Sequence, residues 1–362
     1  MPRRTMRAIW CAAFVMSAMI GTHALRSAGK TLDIYFIDVE GGQATLIVSP
    51  ERRTLLVDTG FPGNGTFQST PGDPRAARDA QRILAAAQSA GVSRIDTLVT
   101  THFHADHAGG VVELSQLLPI ASFVDHGAVN PEAETNVKGT LDVFARYAAV
   151  RAKGRHTTAR PGERLEADGF DAVVVSSDGR TISRPLAKAT GRNPACAAAL
   201  PPQDIYENPR SVGFLLSFGR FTFLDLGDLT GAPLFALACP DDLLGHVDVY
   251  LVAHHGGPDA ADPATLSAFT PRVAILNNGR TKGGGAPTFS ALHRASEAGP
   301  SQLADVWQLH RSSNQGAQNF DDGRIANLDE STAHWLKLSA SDDGSFSVTN
   351  SRTGETKTYP VR

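Results

Sequence analysis

The stretch TLVTTHFHADHAGG, residues 97–110, sets His102, His104, Asp106 and His107 directly after an apolar run. Imidazole nitrogens and a carboxylate are donors that suit Zn²⁺, and also Fe or Mn. Residues two apart in extended chain point the same way, so His102 and His104 can grip one ion. Asp106 and His107, on the turn into the next element, can face a second. Burying three imidazoles and a carboxylate without a cation would leave them short of partners. The pattern therefore predicts a metal centre, with two divalent ions as cofactors: Zn first, Mn or Fe as alternatives.

Two ions need further ligands, and polar residues at the ends of apolar strands are the place to seek them. SFVDHG ends in Asp125 and His126, FTFLDLGDLT carries Asp225 and Asp228, and VDVYLVAHHGG ends in His254 and His255. Asp225 falls inside its strand and reads as structural. His156 and His246 fall in loops, His293 on a surface helix, and His334 opens the tail. His310, after WQL, could reach a site but has no supporting partner in sequence. Arg210 and Lys282 are candidates to meet an anionic group, against the commoner role of solvated surface charge.

Short elements must position these groups. Apolar runs at 32–38, ATLIVS, TLLVD, IDTLVT, IASFVD, FDAVVVSS, SVGFLLSFG, RFTFLD, VDVYLV, RVAIL and DVWQLH read as strands. The pair around Gly219-Arg220 reads as a hairpin. Residues 73–91 predict a helix capped by Asp73, with Ala77, Ala80, Ile83, Leu84 and Ala87 on one face and Gly91 as its stop. LDVFARYAAVRAKG is a second amphipathic helix, and GGVVELSQLLP and PATLSAFT are shorter ones. Loops at 60–72 and 178–210 are expected to flank the site. Strands outnumber helices and helices recur at intervals, which suggests layered α/β architecture with mixed sheets. The tail from His334 reads as a small β appendage with an Asp-Asp-Gly turn.

The chain has 362 residues, is 41% hydrophobic and 20% charged, and carries a net charge of −3. These are ordinary globular values, and no basic tract follows residue 7, which disfavours long nucleic acid as a partner. MPRRTMR followed by the apolar AIWCAAFVMSAMI and then THA reads as a signal peptide, residues 1–24, cleaved near Ala24. The expected location is therefore periplasmic or secreted. Cys196 and Cys239 remain after cleavage, an even pair in an oxidising compartment, so a disulfide between them is possible. The expected division is a hydrolase domain over 31–310 and a C-terminal extension with β-hairpin strands over 311–362.

H-x-H-x-D-H after a strand, with LLVDTG upstream, resembles the metallo-β-lactamase superfamily over roughly Leu32 to His310. The finer likeness is to the hydrolase domain of bacterial DNA-uptake competence channels and their exported relatives. It rests on Asp38 and Gln43 in FIDVEGGQAT, on Gly227-Asp228 after a hairpin, and on His254-His255-Gly256. AILNNGRTKGGGAP keeps Asn277 and Asn278 but has no histidine before Pro287, so the role of the family's histidine there does not carry over. The resemblance implies an αββα four-layer sandwich with a two-metal site where the sheets meet. It implies that His102 and His104 bind the first metal with His126 as third ligand. Asp106, His107 and His255 would bind the second, and Asp228 would bridge the two. His254 would face substrate, and Asp58 would accept hydrogen bonds that hold the His-rich loop without touching metal.

Two cations about 3.5–4 Å apart can bring a water's pKa from 15.7 toward about 7 and make it a nucleophile. The expected activity is metal-dependent hydrolysis, with Asp106, Asp228 and His254 as catalytic residues and a phosphoester or phosphodiester as substrate. The alternatives are a lactone or β-lactam hydrolase on the same core, a di-iron redox protein, or an inactive binding protein. The expected partner is a small-molecule substrate, an anionic one among the possibilities.

Overall fold

The computed structural model describes residues 1, 31–196, 206–260, 262–299 and 303–362. Residues 2–24 of the expected leader lie outside them. Period-two patterning organises everything else. In TLIV and TLLV, Ile47, Leu55 and Val57 point to one side, while Leu46, Val48 and Leu56 point to the other. Both faces are buried, as expected for strands covered on each side.

Two sheets result. The first runs 356–359, 346–350, 336–340, 32–36, 45–48, 54–57, 95–99, 120–125, 155–158 in spatial order. Its strands are antiparallel up to 54–57 and parallel from there on. The second runs 325–327, 305–310, 273–276, 249–251, 221–225, 213–218, 171–177, 180–181. It is parallel from 325–327 to 221–225 and antiparallel beyond. The sheets meet face to face over Ile34, Phe36, Val57, Phe214, Phe223, Leu251, Ile275 and Trp307. Helices Arg78–Ser89, Val111–Leu117 and Thr140–Arg151 cover the outer face of the first sheet. Helices Gly231–Ala238, Pro263–Phe269 and Ala286–Glu297 cover the outer face of the second. The chain is thus an α/β protein with helix, sheet, sheet and helix layers, the sandwich the motifs implied.

Three local expectations change. The first helix begins at Arg78, not near Asp73. The Asp73 carboxylate instead accepts from the Arg75 backbone and guanidinium, closing a separate turn. The tail is β, but it continues the first sheet: Leu336–Ala340 pairs antiparallel with Leu32–Phe36. Leu336, Leu338, Phe346, Val348 and Tyr359 complete the core between the sheets. The long segment 178–210 contains short strand pieces, with 191–192 pairing to 241–242, and its residues 197–205 lie outside the described set. Cys196 and Cys239 form a disulfide with Cα atoms 5.7 Å apart, tying this segment to the end of helix Gly231–Ala238. Among the described residues no helix is long and apolar enough to cross a membrane.

Candidate metal centre

The ligand candidates, and Asp58 that supports them, lie just beyond the carboxyl ends of strands. His102–His107 follow 95–99, Asp58 follows 54–57, and His126 follows 120–125. Asp228 follows 221–225 and His254-His255 follow 249–251. Crevices outside the carboxyl ends of strands are where open α/β sheets bind ligands.

Asp106, His107, Asp228 and His255 come together, fully buried, each offering an atom within 4.8 Å of the others. His107 Nε2 stands 3.1 Å from His255 Nε2, 3.1 Å from Asp228 Oδ2 and 3.3 Å from Asp106 Oδ2. His255 Nε2 stands 3.3 Å from Asp106 Oδ2 and 3.1 Å from Asp228. Two donors each about 2.0–2.1 Å from a tetrahedral ion lie about 3.3 Å apart. The observed edges match that spacing. His102 Nε2 lies 3.0 Å from His104 Nδ1 and 4.0 Å from Asp228 Oδ2, so Asp228 stands between this pair and the His107–His255 pair. His104 Nε2 is buried with no hydrogen-bond partner. The residues therefore fit divalent metal.

The protonation of His102, His104 and the two carboxylates fits as well. Burial, reinforced by the neighbouring imidazoles, pushes His102 well below the usual histidine range. Burial takes His104 down to about 4. For Asp106, burial works upward, but Lys282 and His107 overcome it and hold the carboxyl well below its ordinary range. Asp228 is likewise held low against burial by His107, His255 and His254. Neutral His102 and His104 and ionised carboxylates are the forms a cation needs. His107, against burial, is raised well above the usual histidine range by Asp228, Asp106 and Asp58, and holds a proton that a bound cation would have to displace.

Asp58 sets the orientation. Its Oδ1 accepts from the Thr101 backbone N–H at 2.8 Å. Its Oδ2 accepts from Thr101 Oγ1 and from His107 Nδ1, both at 2.7 Å. With the His107 proton on Nδ1, Nε2 is left to face the other ligands. His254 and His255 both have left-handed backbone, with φ of 49° and 54°. Such strain in non-glycine residues persists only where surroundings enforce it. Here His254 N–H donates to Gly227 O, and His255 O accepts from Gly284 N–H.

The remaining candidates separate. His126 Nε2 is 2.9 Å from Glu207 Oε2, and His126 is outside the four-residue group. Glu207, buried, also accepts from the Phe103 and Asn130 backbone N–H groups. Asp125 accepts from Tyr147 and Arg151. His310 bonds Asp38 at 2.7 Å, and Asp38 also accepts from Arg82, so His310 stands with that pair. Asp225, raised by burial to about 7, accepts from Gln43 Nε2 and the Gly227 N–H. His254 directs Nδ1 to Asp259 at 2.9 Å and Nε2 toward Asn208 at 3.2 Å, with Asp228 Oδ2 at 3.9 Å. Arg210 is engaged with Asp178, the Ala128 carbonyl and Glu207. Glu207, Asn208 and Asp259 carried no sequence signal, since they lie in Pro- and Asn-rich connections without period.

Residues 37–173 match the metallo-beta-lactamase superfamily. No curated protein matches the chain. Among solved structures, the chain is similar to a HARLDQ-motif mutant of a metallo-beta-lactamase from Cronobacter sakazakii, at 16% identity and TM-score 0.32, over 54% of this chain and 60% of that one. It is similar to CmlA, a diiron beta-hydroxylase from Streptomyces venezuelae, at 12% identity and TM-score 0.45, over 78% and 54%. It is also similar to the metallo-beta-lactamase fold protein YhfI from Bacillus subtilis, at 11% identity and TM-score 0.43, over 77% and 96%. The matched region is less than two thirds of the first two of these chains.

Proposed function

We propose that this chain, which carries a metallo-beta-lactamase superfamily domain, is an exported metal-dependent hydrolase acting on phosphoesters or phosphodiesters. The observation that carries the hydrolytic reading is the set of buried edges of 3.1–3.3 Å joining Asp106, His107, Asp228 and His255. Divalent ions bound there supply the Lewis acidity that makes water nucleophilic near neutral pH.

The chain's own residues do the rest. Asp58 holds the His107 proton at Nδ1. Asp228 lies between the His102–His104 pair and the His107–His255 pair, where a carboxylate can orient a water and take its proton. His254, anchored at Nδ1 by Asp259, presents Nε2 beside Asp228. Against burial, its pKa is raised by Asp228 and Asp259, so that as imidazolium it can hand a hydrogen bond from Nε2 to charge developing on the substrate. Such a contact is worth about 3 kcal/mol in the transition state. The phosphoester preference is supported by the motifs shared with competence-type hydrolases. It is also supported by a lysine, Lys282, at the edge of the group. The Cys196–Cys239 disulfide supports an oxidising compartment.

The test is a panel of chromogenic phosphodiester, phosphomonoester, lactone and β-lactam substrates on metal-replete protein. A phosphoester is expected to turn over at least tenfold faster than the others, and faster lactone or β-lactam cleavage would overturn the substrate reading. Asp106→Asn and His107→Ala are expected to abolish turnover with the fold intact. Turnover within a factor of two of the parent would remove the metal mechanism.

A further inference from the structure

Lys282 belongs to a glycine-rich loop whose backbone is pinned on several sides. Gly279 N–H closes a turn on Lys282 O at 2.9 Å. Gly284 and Gly285 donate to the His255 and Gly256 carbonyls at 2.9 and 2.8 Å. Asn314 Nδ2 holds the Gly283 carbonyl at 2.6 Å. On the other side a Cβ at Gly41 would stand 2.8 Å from the Lys282 Cβ, so only glycine there lets the lysine stem lie against the 40–41 turn. The loop is thereby fixed to the same segment that presents His255.

From this base the ammonium reaches Asp106 Oδ2 at 2.5 Å. That oxygen is also 3.3 Å from His107 Nε2 and from His255 Nε2, so a metal ion and the ammonium draw on one oxygen. Lys282 is 27% exposed at its side chain while Asp106 is 2% exposed. The ammonium therefore sits where the buried ligand group opens to solvent. Its second neighbour is Phe67, whose ring centroid is 5.9 Å away. Phe67 is 47% exposed, comes from the 60–72 loop, and is braced edge-on by Phe61 at 5.0 Å.

We propose that Lys282 and Phe67 form the substrate-selecting mouth of the site, taking a phosphate-type oxyanion that bears an aromatic or other flat apolar group. This rests on the hydrolase reading. With a divalent ion held by Asp106, that carboxylate's charge would be shared with the ion, and the ammonium would be free to meet the oxyanion. A charge-assisted hydrogen bond then fixes the anion beside the metals, and the Phe67 face covers the substituent. Lys282 acts as a cation on the substrate, and Phe67 as a wall.

The experiment is calorimetric binding of inorganic phosphate and of phenylphosphonate, which is not hydrolysed, to zinc-loaded protein. Lys282→Gln is expected to weaken both about tenfold or more, and Lys282→Arg to stay within about threefold. Phe67→Ala is expected to weaken phenylphosphonate about fivefold and leave inorganic phosphate unchanged. Zinc content is measured in each variant. Removing a competing cation should leave it equal or higher, and loss of zinc from Lys282→Gln would overturn the proposal by showing that the lysine supports the ligands. The proposal also falls if Lys282→Gln binds both anions within twofold of the parent. It falls if the parent binds neither, or if Phe67→Ala weakens both equally. A parent that binds both anions as described yet cleaves no phosphoester would retire the phosphoester reading and leave the anion-binding mouth standing.

Discussion

Replacing Asp58 by asparagine asks whether a residue that touches no metal governs metal affinity. The carboxylate is completely buried and accepts from Thr101 N, Thr101 Oγ1 and His107 Nδ1 at 2.8, 2.7 and 2.7 Å. Asparagine offers one oxygen where there were two and turns an NH₂ toward donors already present. The amide oxygen can keep the Thr101 backbone, but the His107 Nδ1–H then faces another donor. Either the ring moves its proton to Nε2, where it blocks the ligand, or it turns. A hydrogen bond to a buried charge contributes about 1.5–3 kcal/mol. At about 1.4 kcal/mol per tenfold, the loss should weaken metal binding about 10- to 100-fold. Competition of zinc against a chromogenic chelator reads this directly, with far-UV circular dichroism reporting the fold. Zinc affinity within twofold of the parent, in a folded Asp58→Asn protein, would refute the tautomer argument.

Other perturbations test the scaffold. Asp79 is buried, and burial raises its carboxyl to about 6 despite Arg78 and the Phe61 N–H. The native state therefore holds this proton over a window, about 4 to 6, in which the unfolded chain has released it. The associated stability, about 3 kcal/mol, is present below pH 4 and is lost as pH rises through 6. Urea midpoints from pH 4 to 7 should show a more negative slope in the parent than in Asp79→Asn, and parallel slopes would contradict the sign. Breaking the Cys196–Cys239 bond, across a sequence separation of 43, should cost about 2–4 kcal/mol. Urea unfolding of the Cys196→Ser, Cys239→Ser double variant checks this, and an unchanged midpoint would count against it. Deleting residues 336–362 removes Leu336, Leu338, Phe346, Val348 and Tyr359 from the core between the sheets. At about 1.5–3 kcal/mol per buried side chain, that rivals the whole stability of a typical domain. No soluble, zinc-binding protein should be recovered, and a folded truncation would show the tail to be dispensable.

Chemistry carried by chain neighbours was legible from sequence alone. His102, His104, Asp106 and His107 lie within six residues of chain after an apolar strand, and covalent spacing delivers them to one place. The strands were legible too, because period-two burial is written residue by residue, as Ile47, Leu55 and Val57 against Leu46, Val48 and Leu56 show. Partner choice between distant segments was not. Glu207 meets His126 across 81 positions, Lys282 meets Asp106 across 176, and the tail strand pairs with the first strand of the sandwich. Those meetings depend on which sheet edge lies open and where each loop is pinned. Asp73 shows the same limit at short range: its cap pattern suits a helix, but its carboxylate is taken by Arg75, and the helix starts at Arg78. Local spacing is a property of the covalent chain, whereas long-range pairing is settled only when burial of both sheet faces brings the remaining polar groups to the seam between the sheets.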